Sequence, residues 1–302
     1  MKNLNRMLPR LPVLLLCLVC GPLHAQDVTA PQNRDLLNGF TYTQDRLFVS
    51  HSQGSQVANI HIYGWGALWP FSEGQAGEYD SGSSIEQRIR QATADGQQVV
   101  LTCATAPSIY RASGRPWNME ERVKDDMEDR YATRCAEAVQ RWPQIGRVQV
   151  WNEFKGYWDT KNNRWGYENY TRFYNKVYAA VKAVRHNVLV GGGYIVLTPR
   201  FPGYAKDYNG VFVEPRSMAA LQYWITHAHG YDAVCLDGKF APEDFLKLSA
   251  FFRQLTGGRP VWWSEYYGRN GVDDMRAARM LFAKDHHPGD MALWWDATAL
   301  PW

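Results

Sequence analysis

From about residue 83 to residue 296 the sequence alternates between stretches whose apolar residues recur at helical spacing and short runs that are apolar throughout. Ser83 and Glu86 have the spacing of a capping box. They open a helix on which Ile85, Ile89 and Ala92 share a face and which Gly96 ends. Residues 98–104 read as a buried strand, 119–142 as largely helical, and 146–151 as the next strand. Tyr170, Phe173, Tyr174, Val177, Tyr178, Val181 and Val184 mark a third helix, followed by a strand over 187–192. A helix capped by Ser217 and running to about His229 leads to a strand over 232–236. Pro242 suits the first turn of a helix bearing Phe245, Leu248, Phe252 and Leu255, which Gly257 and Gly258 stop. A strand over 260–265, a helix over about 273–284 and a strand over 291–296 complete the series.

Strands separated by helices of this length pair in parallel through right-handed crossovers, as an open doubly wound sheet or a closed (β/α)8 TIM barrel. Two features favour the barrel. The best polar residues lie at the C-terminal ends of well-separated strands, and no Gly-x-Gly-x-x-Gly fingerprint follows any strand. Gly191-Gly192-Gly193 is followed by no helix of the kind a phosphate cradle needs, and reads as a tight strand exit. The N-terminal part is irregular. Residues 46–50 and 57–63 are candidates for the first two strands or for a hairpin, with no clear helix between them. The chain stops soon after the last strand, so the eighth helix is expected to be missing or shortened, with residues 26–45 available to cover the gap. No repeat or linker divides residues 26–302, which read as one domain.

Residues 1–25 have a different character. Lys2, Arg6 and Arg10 precede an apolar run over 11–19, and Leu23-His24-Ala25 offers a cleavage site before Gln26. This is the pattern of a secretory signal, too short to span a bilayer, and neither Cys17 nor Cys20 sits in a good lipid-attachment box. Export to the periplasm or the medium is the expectation. Removing the signal takes the formal charge from +3 to zero, so no basic block argues for nucleic acid or an anionic membrane. Cys103, Cys135 and Cys235 then remain, an odd number without metal-ligand spacing; buried thiols are preferred to a single disulfide. His227 and His229 suit a helix C-terminus better than a metal site, and neither metal nor cofactor is expected. Aromatic content is 14%, with 13 Trp; a core can absorb several, and in an exported chain others can serve as exposed platforms for sugar rings.

Two carboxylates fall at strand ends: Glu153 in VQVWNEF and Glu265 in VWWSEYYG. Counting two strands before residue 98, they end the fourth and seventh, across one central pocket of a barrel. Cleavage of a glycosidic bond needs such a pair, one acid to protonate the leaving oxygen and one carboxylate to attack or to activate water. Trp-Asn-Glu on the fourth strand with an apolar-apolar-Ser-Glu run on the seventh resembles the clan A glycoside hydrolases. The helix and strand of RYATRCAEAVQRWPQIGRVQVWNE, the run YTRFYNKVYAAVKAVRHNVLVGGG and the strand exit VVLTCATAPSIY are most similar to the family 39 type and related exopolysaccharide hydrolases, over roughly residues 83–296. The resemblance implies a retaining mechanism with Glu153 as acid/base, Glu265 as nucleophile, and Asn152 on the sugar 2-hydroxyl. The acid needs a raised pKa, for which Trp151 and Phe154 offer apolar surroundings.

Further sugar contacts are expected from Trp151, Trp158, Tyr194, Tyr267 and one of Trp294 and Trp295, the other facing outward by strand alternation. Two departures from the family pattern stand out. Asp237 and Lys239 in YDAVCLDGK replace the His and Tyr usual after the sixth strand and are expected to contact the substrate, Lys239 suiting an acidic or modified sugar, and no second-strand Arg braces the nucleophile, His61 being its positional substitute. Blander readings accompany each residue. Glu153 could pair with a lysine at the rim, Asp237 could close a turn with Gly238, Tyr267 could be structural, and Cys103 and Cys235 inert core thiols. Of Trp65, Trp69, Trp117, Trp158 and Trp165, two or three are expected along a cleft. The expected activity is endo-acting hydrolysis of a polysaccharide or exopolysaccharide; the alternatives are a transglycosylase and a catalytically inactive sugar-binding barrel of a secretion or matrix complex. The expected partner is a polysaccharide or oligosaccharide substrate, with no nucleic acid, no membrane span, and protein partners undefined.

Overall fold

A computed structural model describes residues 37–42, 55–73, 82–115, 120–198 and 205–294. Eight parallel strands close a barrel: β1 (Leu37–Tyr42), β2 (Val57–His61), β3 (Gln98–Cys103), β4 (Ile145–Val150), β5 (Leu189–Leu197), β6 (Ala233–Phe240), β7 (Val261–Gly268) and β8 (Met291–Trp294), which pairs back to β1. Six helices follow β2 to β7 in turn: α1 (Ile85–Ala94), α2 (Glu128–Arg141), α3 (Tyr167–Val184), α4 (Pro215–His227), α5 (Pro242–Leu255) and α6 (Val272–Lys284). The fold is the (β/α)8 barrel that the alternation predicts, with Glu265 in the seventh strand and Glu153 in the turn that follows the fourth.

Several boundaries differ from the sequence reading. The first strand is Leu37–Tyr42, inside the segment expected to cover the barrel end, whereas residues 46–50 lie outside the described residues, as do the signal and everything after Trp294. Helix α1 is capped by Ser84, one residue later than expected: Ser84 Oγ accepts from Gln87 N at 3.1 Å and Gln87 Oε1 accepts from Ser84 N at 2.9 Å. Helix α2 begins only at Glu128, because Lys124 N bonds Tyr110 O at 2.9 Å and Arg111 bridges Val123, which ties the preceding residues into the β3 exit loop. Helix α4 is capped by Glu214, whose carboxylate accepts from Ser217 N at 3.0 Å; Ser217 is inside the helix and Pro215 takes its first position.

Strands β5, β6 and β7 run three to five residues beyond their expected ends. Gly191 to Gly193 therefore sit within β5, a correction to their reading as a strand exit. Their role is to seat large rings: a Cβ on Gly191 would stand 2.6 Å from Cys235 Sγ and 2.7 Å from the Trp262 ring, and one on Gly192 2.2 Å from Tyr174. Gly193, at φ 73°, takes up the register shift between β5 and β6.

The core has two parts. Between strands and helices lie rings such as Tyr131, Phe173, Trp224 and Phe245; inside the barrel Leu37, Val57, Val100, Cys235, Trp262, Met291 and Leu293 form an apolar plug. All three cysteines of the described chain are buried free thiols, and burial pushes those of Cys135 and Cys235 up. Toward the C-terminal mouth the interior turns polar. Thr41 Oγ1 donates to Ser264 O (2.8 Å), Asn59 Nδ2 to Thr41 Oγ1 (3.0 Å), Thr102 Oγ1 to Asn59 Oδ1 (2.6 Å), Gln149 Nε2 to Thr102 Oγ1 (3.1 Å) and Ser264 Oγ to Gln149 Oε1. Five strands thus share one buried layer in which each hydroxyl and amide has a partner, as burial of polar atoms requires.

Tyr174 is fully buried against Trp224 and bonds Gly230 O through its hydroxyl, so it cannot swing away from a new methyl group. Gly192→Ala is therefore expected to cost about 2–3 kcal/mol, read as a lowered denaturation midpoint; an unchanged midpoint would mean that this packing is not rigid.

Candidate active site

At the end of β4 the backbone does something costly. Trp151, Glu153 and Phe154 have φ of 68°, 49° and 55°, and Trp65 and Thr105, after β2 and β3, are also left-handed. Each such non-glycine residue costs roughly 1–3 kcal/mol, and here all lie at the mouth where barrel sites form. The contacts holding the β4 turn are visible. Trp151 Nε1 donates to Lys155 O (2.7 Å), Tyr170 OH donates to Val150 O (2.9 Å), and the Phe154 and Tyr170 rings lie 3.8 Å apart. The turn sends the Trp151 ring into the helix layer, 1% exposed, against Tyr131, Tyr157 and Phe173. Trp151 thus offers no face to a sugar, which corrects its expected role. Phe154 is also fully buried.

Glu265 reaches the same mouth through a bulge. In β7, Ser264 points inward to the polar layer, so strict alternation would turn Glu265 outward. The register between β6 and β7 shifts after Leu236, which pairs with Trp263, so that Asp237 pairs with Glu265. The extra residue re-aims Glu265 into the barrel beside Asp237. Oxygen atoms of Glu153, Asp237 and Glu265 then lie within 4.8 Å of one another.

Glu265 is 3% exposed, Asp237 2%, and the Glu153 side chain 15%. Burial first, and the Glu153 charge second, push Glu265 up to about 8, against the Tyr194 and Tyr267 hydroxyls and the charge of Lys155. Asp237 is raised well above the usual carboxylate range by burial, by the charges of Glu265 and Glu153, and by a hydrogen bond with Glu153. Among the described residues, the cation paired with this cluster is Lys155. Its Nζ is 2.9 Å from Glu153 Oε2, 2.6 Å from Glu120 Oε1 and 5.5 Å from the Trp65 ring centre. Burial pulls the Lys155 ammonium down, but these carboxylates push it above its ordinary value. Among the described residues, the three acids are the one group of His, Cys, Asp and Glu side chains close enough to share an ion, and Lys155 already supplies a positive charge to it.

Other candidates divide clearly. Tyr267 OH donates to Glu265 Oε2 at 3.1 Å, and Tyr194, fully buried on β5, faces the same carboxyl. Asn152 is 4% exposed with its Oδ1 buried and unbonded, and His61, ending β2, packs 4.8 Å from Trp65. Lys239 is exposed at the end of β6, in register with Tyr267. Trp158 is 40% exposed on a two-stranded ribbon beyond β4, edge-on to Trp165 and under Arg216. Trp294 packs edge-on against Tyr266 at 6% exposure, on the outer face of β8; Trp295 and Trp117 lie outside the described residues. Trp69 is core, among Tyr63, Phe71 and Tyr110. The lysine that the sequence reading allowed as a rim partner of Glu153 is Lys155, two residues on, whereas the polar layer beneath was missed.

No protein-family model and no curated protein matches the sequence. Solved structures do match. A glucosidase from Croceicoccus marinus aligns with a TM-score of 0.57 at 13% identity, over 87% of this chain and 60% of its own. A family 39 glycoside hydrolase from Bacteroides cellulosilyticus WH2 gives 0.55 at 14%, over 88% and 57%. Endo-glycoceramidase II from Rhodococcus sp., in a lactosyl-enzyme intermediate, gives 0.50 at 12%, over 87% and 73%. The chain thus spans about three fifths of the first two proteins. At these identities the likeness establishes the fold, a (β/α)8 barrel shared with glycoside hydrolases.

A raised carboxyl makes the folded protein less stable as pH climbs. Between the ordinary value of 4.5 and about 8, the native state keeps a proton on Glu265 that the unfolded chain releases, so stability falls across that window and levels above it. Glu265→Gln is expected to melt a few degrees higher than the wild type at pH 8.5 and at the same temperature near pH 4.5. Equal melting at both would show that Glu265 ionises freely.

Proposed function

We propose that the protein is a retaining glycoside hydrolase acting outside the cytoplasm on a polysaccharide or exopolysaccharide. The observation that carries this reading is the separation of the carboxyl groups. Retaining enzymes place their two carboxyls about 5 Å apart and inverting ones about 6.5–9.5 Å, and an oxygen of Glu153 lies within 4.8 Å of one of Glu265, which supports the shorter spacing. The neighbouring endo-glycoceramidase, held as a lactosyl-enzyme intermediate, lends support from a protein of the same fold.

In this mechanism Glu153 gives its proton to the leaving glycosidic oxygen while Glu265 attacks the anomeric carbon. Water then displaces the enzyme carboxylate with Glu153 as base. Tyr267, donating to Glu265 Oε2, orients the nucleophile, and the unbonded Oδ1 of Asn152 leaves a buried acceptor for a sugar hydroxyl. Endo action on an extended chain is supported by Trp158, an exposed ring on the loop after β4 where a further sugar would lie. Export is supported by the pattern of residues 1–25, and among the described residues no helix is long and apolar enough to cross a membrane.

One contact favours a second reading. Lys155 sits 2.9 Å from Glu153 Oε2, as in a rim ion pair without catalytic purpose, which would suit a sugar-binding barrel that cuts nothing.

A reducing-end assay of residues 26–302 on a panel of bacterial and plant polysaccharides separates the two. The hydrolase is expected to cut one polymer, with Glu153→Gln and Glu265→Gln each reducing the rate about 100-fold or more. If one polymer binds all three proteins equally and none cuts it, the binding barrel is correct.

A further inference from the structure

The two-carboxylate mechanism needs no third acid, yet the site has one. Asp237 is not at a rim or in a turn: it is in β6, 2% exposed, paired in register with Glu265, and its oxygens lie within 4.8 Å of those of Glu153 and Glu265. Its Oδ2 is buried with no hydrogen-bond partner. A side chain serving only to fill this space would be apolar or fully bonded, since an unmet buried oxygen costs stability.

We propose that Asp237 is a positioning residue that carries a proton between Glu265 and Glu153, setting the two catalytic carboxyls into their working states. The proposal rests on the hydrolase reading of the same site. The groups facing Asp237 are Glu153 and Lys155 from the β4 loop, Glu265 and Tyr267 from β7, and Tyr194 from β5. Three acids thus face one ammonium, and of the three Lys155 pairs with Glu153, at 2.9 Å, while its other partner, Glu120 at 2.6 Å, lies outside the cluster. In the free protein the ion pair of the cluster is thus made by Glu153 with Lys155, while burial favours the neutral forms of Asp237 and Glu265. Hydrolysis needs the reverse, a protonated Glu153 and a bare Glu265.

Asp237 can make that exchange without changing the charge of the cluster. Its O–H proton passes to the Glu153 carboxylate, and the Glu265 proton passes to the other Asp237 oxygen, Oδ2. The net result is one proton moved from Glu265 to Glu153. Asp237 is neutral before and after, and the three acids keep a total charge of minus one against Lys155. Glu153 then holds the proton for the leaving oxygen, and Glu265 the electron pair that forms the new bond. The unbonded Oδ2 gives the second proton a place to arrive.

Infrared spectroscopy reads this without substrate, in the C=O stretch of buried protonated carboxyls at pH 7. Two such bands are expected in the wild type. Asp237→Asn and Glu265→Gln should each remove one, Glu153→Gln neither, and Lys155→Met should add one as the charge on Glu153 loses its partner. Both bands surviving in Asp237→Asn, or one vanishing in Glu153→Gln, overturns the proposal. On the polysaccharide cut in the reducing-end assay, Asp237→Asn should lower kcat about 100-fold with KM unchanged, and Asp237→Glu should recover most of it; a loss in KM alone would assign Asp237 to binding. Because the infrared bands need no turnover, failure of the relay and failure of the hydrolase reading give different results.

Discussion

Burying charge is the constraint around which this mouth is organised. Two carboxyl groups almost out of contact with water and a third partly so, all within 4.8 Å, could not each stay ionised at neutral pH in a medium that solvates them poorly. The site responds in three ways. Lys155 supplies one positive charge, Tyr267 donates a hydrogen bond to Glu265 with the Tyr194 hydroxyl nearby, and protons remain on the acids that have no cation beside them. The same burial that strains the charges also makes the site useful, because electrostatic interactions are stronger where water is excluded.

The backbone beneath is arranged to keep that cluster in place. A bulge in β7 turns Glu265 inward immediately after the inward-facing Ser264, and a left-handed turn after β4 swings Trp151 out so that Glu153 can face in. Neither distortion would persist unsupported. Tyr170 bonds the end of β4 and also accepts from Gly193 N of β5 at 2.9 Å, and the layer from Thr41 to Ser264 ties β1, β2, β3, β4 and β7 together under the acids. Strain at the mouth is thus offset by packing and hydrogen bonds one layer below.

The alternation of helix and strand was legible in the sequence because it is periodic, and it carries the barrel and the strand numbers of Glu153 and Glu265. What depends on departures from periodicity was not. Alternation alone would point Trp151 inward and, with Ser264 inward, Glu265 outward; a left-handed φ and a bulge decide both, and neither has a glycine to announce it. The triple glycine of β5 announced a turn but serves instead to admit Tyr174, Trp224 and Trp262, partners distant in sequence. Asp237 was visible as a replacement at its strand end. Its buried contact with two other acids was not, because it depends on β6 continuing to Phe240.

The central claim is that Glu153 and Glu265 are close enough for a double displacement. The stereochemistry of the first product tests it most directly, read by proton NMR of the newly released anomeric centre before mutarotation. Retention of configuration is the expected result. An inverted first product would contradict it, since water would then have to fit between two carboxyls that the barrel holds within 4.8 Å.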